Sequence, residues 1–128
     1  MNLLLDTCAY SELLRGDQSI LDVMQRAKSV ALPSIAIGEL LSGFRAGSRR
    51  AENMAKLNQF LSRPSVRVLN VTHETAVRYA EVDFYLRTKG RPIPRNDVWI
   101  AATAIEHGLQ LVTLDVHFRE IPLLLIQP

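Results

Sequence analysis

A single cysteine, Cys8, rules out an internal disulfide in this chain and makes a reducing, cytoplasmic setting the expectation. No apolar run approaches the roughly 18 residues that span a bilayer, which excludes a helical membrane segment. No basic stretch precedes Leu3, so nothing at the N-terminus reads as a signal peptide. Charge of one sign is also scarce. Fifteen Lys and Arg against thirteen Asp and Glu leave a net charge of +2, too little by itself to argue for a nucleic-acid partner. There is no glycine-rich phosphate loop. The three histidines, His73, His107 and His117, show no i, i+4 pairing, which excludes a paired-histidine site for a soft metal. No spacing supports a Ser-His-Asp or Cys-His nucleophile. Repeats, low-complexity tracts and linkers are missing too. The 128 residues, 48% of them apolar, read as one domain over 1–128 with enough apolar side chains for a core.

What is present is an alternation of short apolar runs and helical patterns. Asn2 to Asp6 reads as a strand buried on both faces, because its apolar run is continuous. Thr7 is placed to cap a helix through Leu14 that Gly16 stops, and Asp17 to cap a second over Gln18 to Lys28. Val30 to Leu32 is a strand, Pro33-Ser34 opens a helix to Ala46, and another helix covers Arg49 to Leu61. Val66 to Val71 is the third strand. Thr72 caps a helix to Lys89, and Asn96 caps one to His107 that Gly108 ends. Leu109 to Leu114 and Leu123 to Ile126 supply strands four and five, on either side of a short turn over His117 to Ile121. Strands alternating with helices predict an α/β layer architecture with a mainly parallel sheet.

Four carboxylates stand out against that frame. Asp6 and Asp115 each close an apolar run, so in a parallel sheet both sit at the carboxyl edge, where open α/β sheets bind ligands. Asp97 falls inside the apolar arc formed by Val98, Ile100, Ala101, Ala104 and Ile105, whereas Thr103, Glu106 and His107 lie outside it. A first-turn acid is favoured by the helix dipole wherever it points, so the dipole does not explain this inward direction. Glu39 lies at the edge of its helix's apolar arc, and Gly43 leaves room beside it. Clustered carboxylates repel unless a cation lies among them, and hard oxygen donors suit Mg²⁺. The hydroxyls of Thr7 and Thr113, next to Asp6 and Asp115, are placed to hold those carboxylates or a metal-bound water. Glu12, Asp17, Asp22, Glu52, Glu74, Glu81, Asp83, Glu106 and Glu120 suit caps and helix surfaces, and His117, close to Asp115, reads as a surface residue ahead of one that touches substrate. The basic residues fall in two groups, one with Arg45, Arg49, Arg50 and Lys56, the other with Arg87, Lys89, Arg91 and Arg95.

Leu-Leu-Leu-Asp-Thr at 3–7, Ser-Ile-Ala-Ile-Gly-Glu at 34–39, Asn-Asp-Val-Trp-Ile-Ala-Ala at 96–102 and Leu-Val-Thr-Leu-Asp-Val-His-Phe at 111–118 together resemble a PIN domain. In size the chain is similar to the VapC toxins of bacterial toxin–antitoxin pairs. The resemblance covers essentially the whole chain. It implies a three-layer α/β/α fold with a five-stranded, mainly parallel sheet and a Mg²⁺- or Mn²⁺-dependent endoribonuclease. It also implies that Asp6, Glu39, Asp97 and Asp115 form the catalytic and metal-binding site, with Thr7 and Thr113 as supporting hydroxyls. The implied partners are an RNA substrate, a cognate antitoxin and a second copy of the chain. Many relatives carry another acid where this chain has His117. Arg45, Arg49, Arg87, Lys89, Arg91 and Arg95 are the candidates for holding flanking phosphates.

Alternative readings remain at this point. An RNA-processing nuclease without an antitoxin shares every motif, and a non-catalytic RNA- or protein-binding module needs none of the acids. An aspartyl-phosphate phosphatase wants a second Asp two residues after the first, but position 8 is Cys8. A response-regulator receiver wants an Asp at the end of the third strand, and Val66 to Val71 ends without one. The apolar content further predicts exposed apolar surface for self-association around the helices from Ile35 to Leu61.

Overall fold

The computed structural model describes residues 1–122 and 124–127. Its strands β1 (Asn2–Leu5), β2 (Ser29–Pro33), β3 (Val66–Leu69), β4 (Gln110–Val112) and β5 (Ile126–Gln127) form one five-stranded sheet in the order β3-β2-β1-β4-β5. Every neighbouring pair is parallel. The helices are α1 (Thr7–Leu14), α2 (Gln18–Gln25), α3 (Ser34–Ala46), α4 (Arg50–Leu61), α5 (His73–Thr88) and α6 (Arg95–His107). A 3₁₀ turn spans Val116–Glu120.

The alternation of side chains along a strand sorts β1 between two cores. Leu3 and Leu5 pack with Ala9, Tyr10, Ile20, Val23, Ala36, Leu40, Leu57 and Phe60, which come from α1 to α4. Leu4 faces the other way and packs with Val82, Leu86, Val98, Ile100, Ala101 and Ala104 from α5 and α6. Helices therefore cover both faces of the sheet in three layers. Parallel strands require this, since each apolar run exposes side chains to both sides.

The strand order fixes where a ligand fits. The chain moves outward from β1 to β2 and β3, then crosses to β4 on the other flank of β1. The order thus reverses between β1 and β4, and open α/β sheets bind ligands in the crevice beyond the carboxyl ends of such a pair. Leu5 pairs with Val112 at that end, so the residues just beyond them, Asp6 and Thr113, emerge side by side.

Several expected boundaries shift. Strand one stops at Leu5; the Asp6 N–H still donates to the Val112 carbonyl of β4 at 3.3 Å, while its side chain caps α1, accepting from the Ala9 N–H. Thr7 is the first helical residue rather than the cap. The second helix ends at Gln25 rather than Lys28, the third strand at Leu69 rather than Val71, and the fourth covers only Gln110–Val112. The fourth helix begins at Arg50 rather than Arg49. Asn96 does not cap α6. The cap lies two residues earlier, at Pro94, whose fixed φ suits a helix entrance, and the helix starts at Arg95. Gly108 does end it, at φ 63 in the left-handed region that glycine adopts without strain. Strand five starts at Ile126, later than expected, and Leu123 lies outside the described residues.

Two expectations about surfaces also change. Thr103 is buried and the Glu106 side chain only 10% exposed, although both lie outside the apolar arc of α6. The reason is α5, which packs along that flank. Thr72 and Thr75 at its start donate to Glu106, and Tyr79 stacks on Trp99 with ring centroids 4.1 Å apart. The exposed apolar surface is not on the helices from Ile35 to Leu61 either. There Ile37, Leu41, Phe44 and Leu61 lean onto the core, whereas Val77 and Phe84 of α5 are exposed. No helix among the described residues is long and apolar enough to cross a membrane.

Candidate metal centre

Four elements deliver the four acids to the β1/β4 crevice. Asp6 follows β1, Asp115 begins the 3₁₀ turn after β4, Asp97 lies in the first turn of α6 and Glu39 midway along α3. Asp6 is 4% exposed and tightly held. The Ala9 N–H donates to its Oδ1 at 2.7 Å, and the Thr113 hydroxyl donates to its Oδ2. Thr113 also accepts from the Asp115 N–H at 3.0 Å, so one hydroxyl ties two of the acids together. Thr7, expected to serve Asp6, reaches across instead and donates to Glu39 Oε1 at 2.6 Å. The neighbouring hydroxyl of the β1 edge thus fixes an acid 32 residues away. Asn96 donates to Glu39 Oε2 at 3.4 Å, which gives it a role at the site in place of the expected cap.

His117 departs most from the sequence reading. Its ring is 30% exposed and lies between two of the acids rather than on an open surface. Nε2 is 2.9 Å from Asp97 Oδ2 and Nδ1 is 2.9 Å from Asp115 Oδ1. Asp97, Asp115 and His117 each offer a donor atom within 4.8 Å of the others. The ordering of the ring starts with Phe118, whose burial in the core anchors the 3₁₀ turn beside it. The only sequence signal for this placement is the two-residue step from Asp115, which lets the Asp accept from the His117 N–H at 3.2 Å.

The electrostatics record the crowding. Burial raises the Asp6 carboxyl above the ordinary carboxylate value, opposed by the bonds from Thr113 and Ala9, and the charges of Asp97 and Asp115 push it further up. Burial likewise raises Asp97. His117 works against that shift, while Glu39 and Asp115 add to it. Among the described residues no Lys or Arg pairs with any of the four acids; His117 is the one basic side chain at ion-pair distance, and it touches Asp97 and Asp115. The Cys8 thiol, next to Asp6, is also pushed up, first by burial and then by Asp6, Glu12 and Asp115, which keeps it protonated and a poor nucleophile.

The donor set suits a hard divalent cation. It offers carboxylate oxygens with one imidazole, in a crevice with excess negative charge and no thiolate cluster. The candidate phosphate-binding residues divide. Arg87 pairs with Asp83 at 2.9 Å, Arg91 with Glu120 at 3.3 Å, and Lys89 lies over the Tyr85 ring. Among the described residues Arg45, Arg49 and Arg95 make no ion pair, and Arg95 stands two residues before Asp97.

Comparison with known proteins agrees with this geometry. The PIN domain family matches residues 3–124. Ribonuclease VapC2 of Rickettsia felis is 30% identical, over 97% of this chain and 95% of its own length. The crystal structure of VapBC2 from the same organism, bound to a DNA fragment from its promoter, superposes with a TM-score of 0.86 at 26% identity, covering 99% of this chain and 98% of that one. VapBC-5 of Mycobacterium tuberculosis, a member of the VapBC family of toxin–antitoxin systems, superposes at 0.79 with 26% identity over 98% and 97% of the two chains. A parallel sheet whose β1/β4 edge gathers four acids, matched over nearly its full length by these proteins, places the chain in the PIN-domain family, among the VapC ribonucleases.

Proposed function

We propose that this chain is a Mg²⁺- or Mn²⁺-dependent endoribonuclease and the toxin of a toxin–antitoxin pair, acting in the cytoplasm. The observation that carries the reading is the gathering of Asp6, Glu39, Asp97 and Asp115 at one sheet edge with no Lys or Arg among them. A cluster of this charge costs stability in the metal-free protein, and a bound divalent cation offsets that cost. Asp6, Asp97 and Asp115 would hold the ion, which supplies Lewis-acid activation of water and neutralises charge developing on the scissile phosphate. Thr113 and the Ala9 N–H fix the rotamer of Asp6 at the edge of the crevice. Glu39, held by Thr7 and Asn96, orients the attacking water or completes a second ion site. Arg45, Arg49 and Arg95, unpaired in the described chain, take flanking phosphates most directly; Arg87, Lys89 and Arg91 must first leave their present contacts.

The partner implied by the relatives is an antitoxin that blocks this crevice. An arginine would suit that purpose, since a guanidinium bonds two carboxylate oxygens at once. We also expect a homodimer, and the exposed Val77 and Phe84 side chains provide apolar surface that self-association would cover. The reaction is tested by incubating metal-stripped protein with RNA in EDTA and then restoring Mg²⁺ or Mn²⁺. Cleavage should be absent in EDTA and return with the ion. Full cleavage by the stripped protein, against a contaminating-nuclease control, would reject the mechanism.

A further inference from the structure

We infer that His117 is a nitrogen ligand of the metal centre through Nε2, the ring nitrogen beside Asp97. The inference rests on the metal-centre reading above and extends it to a residue that no acid-only site contains. Three features of the geometry carry it.

Asp115 Oδ1 touches His117 twice, accepting from its backbone N–H at 3.2 Å and lying 2.9 Å from Nδ1. A carboxylate lying against Nδ1 restricts how the ring can turn, and so restricts where the other nitrogen points. That other nitrogen, Nε2, faces Asp97 Oδ2 at 2.9 Å, so the imidazole and the Asp97 carboxylate converge on one point. The convergence is rigidly supported. Asp115 is itself fixed through its N–H to Thr113, Thr113 through its hydroxyl to Asp6, and the turn through buried Phe118. The ring is therefore one end of a chain of contacts that begins at the most buried acid of the cluster.

The assignment has a chemical consequence. Mg²⁺ keeps to oxygen ligands, whereas first-row transition ions gain affinity from an imidazole. A site with His117 as ligand should thus bind Mn²⁺ more tightly than the acids alone would bind it, and should gain far less for Mg²⁺.

The test uses the full chain loaded with Mn²⁺ and read by pulsed electron paramagnetic resonance. Wild-type protein should show ¹⁴N modulation from a coordinated imidazole. His117→Ala should lose it and bind Mn²⁺ about tenfold more weakly by calorimetric titration, with Mg²⁺ affinity shifted less. Absence of ¹⁴N modulation from Mn²⁺ that Asp97→Asn removes would overturn the His117 assignment and leave the acid site standing. Failure of wild-type protein to take up Mn²⁺, or uptake undiminished by Asp97→Asn, would overturn both. The wild-type spectrum needs no variant, so a His117→Ala protein that fails to fold does not leave the question open.

Discussion

Asp97→Asn should lower RNA cleavage by more than about a hundredfold while the metal-free protein stays folded and melts no lower than wild type. Even an outer-shell partner of a metal ligand is worth about ten- to a hundredfold in activity, and Asp97 is proposed as a direct ligand. The substitution barely alters shape. Asp97 makes its side-chain hydrogen bond to His117, and an Asn can meet the ring there through its oxygen or its amide nitrogen, whichever the tautomer requires. What disappears is a charge that burial, Glu39 and Asp115 disfavour more than His117 favours it. The loss relieves repulsion in the absence of a cation and weakens binding in its presence. Melting curves with and without Mg²⁺, beside a cleavage assay, separate the two effects. A variant that melts far below wild type in EDTA yet cuts RNA normally would make Asp97 a structural residue.

The second large effect concerns pH. Asp6 and Asp97 both stand above the ordinary carboxylate value in the folded chain, chiefly through burial. Below that ordinary value both groups are protonated folded and unfolded, and they contribute no pH dependence. Between the ordinary value and the raised folded value, the unfolded chain binds fewer protons than the folded one. Stability from these groups therefore falls as pH rises through that window and stays reduced above it. In EDTA, the melting temperature of a variant with both Asp6→Asn and Asp97→Asn, minus that of wild type, should grow more positive from mildly acid to neutral pH. Asp17, held low by hydrogen bonds from Ser19 and the Ile20 N–H, contributes with the opposite sign but cancels in this difference. Divalent cation reverses the comparison. At about 100 times its dissociation constant a ligand adds about 2.7 kcal/mol to the protein that binds it, and only wild type should gain this. A difference that stays flat with pH, or a variant that Mn²⁺ stabilises as much as wild type, would contradict the acid-cluster account.

The parts of the fold legible in the sequence are those with local causes. Asp17 and Thr72 cap the helices they precede, Gly108 ends α6, and the continuous run at Leu3 to Leu5 is a strand buried on both sides. The placement of Asp97 was readable because a helix wheel fixes direction from sequence spacing alone. Asp6 and Asp115 were readable because a parallel sheet turns two chain positions into one edge.

The remaining features depend on contacts between residues distant in sequence, which no local pattern encodes. Thr113 and Asp6 are 107 residues apart, and Glu39 and Asn96 are 57 apart. Thr7 illustrates the limit. Its neighbour Asp6 was the obvious carboxylate for it to hold, but Asp6 turns back to cap α1, which leaves the Thr7 hydroxyl free for Glu39. The sequence puts His117 near Asp115 but favours a surface role, because an exposed turn residue and a ring between two acids have the same local sequence. Glu106 was misread because α5 covers a flank of α6 that the wheel leaves polar.

Crystals soaked in Mn²⁺ and measured at the manganese absorption edge would test the central claim most directly. The account predicts an anomalous peak enclosed by Asp6, Asp97 and Asp115, absent from Asp97→Asn crystals treated identically. Manganese bound only at scattered surface carboxylates, with none in the β1/β4 crevice of the wild-type protein, would contradict it.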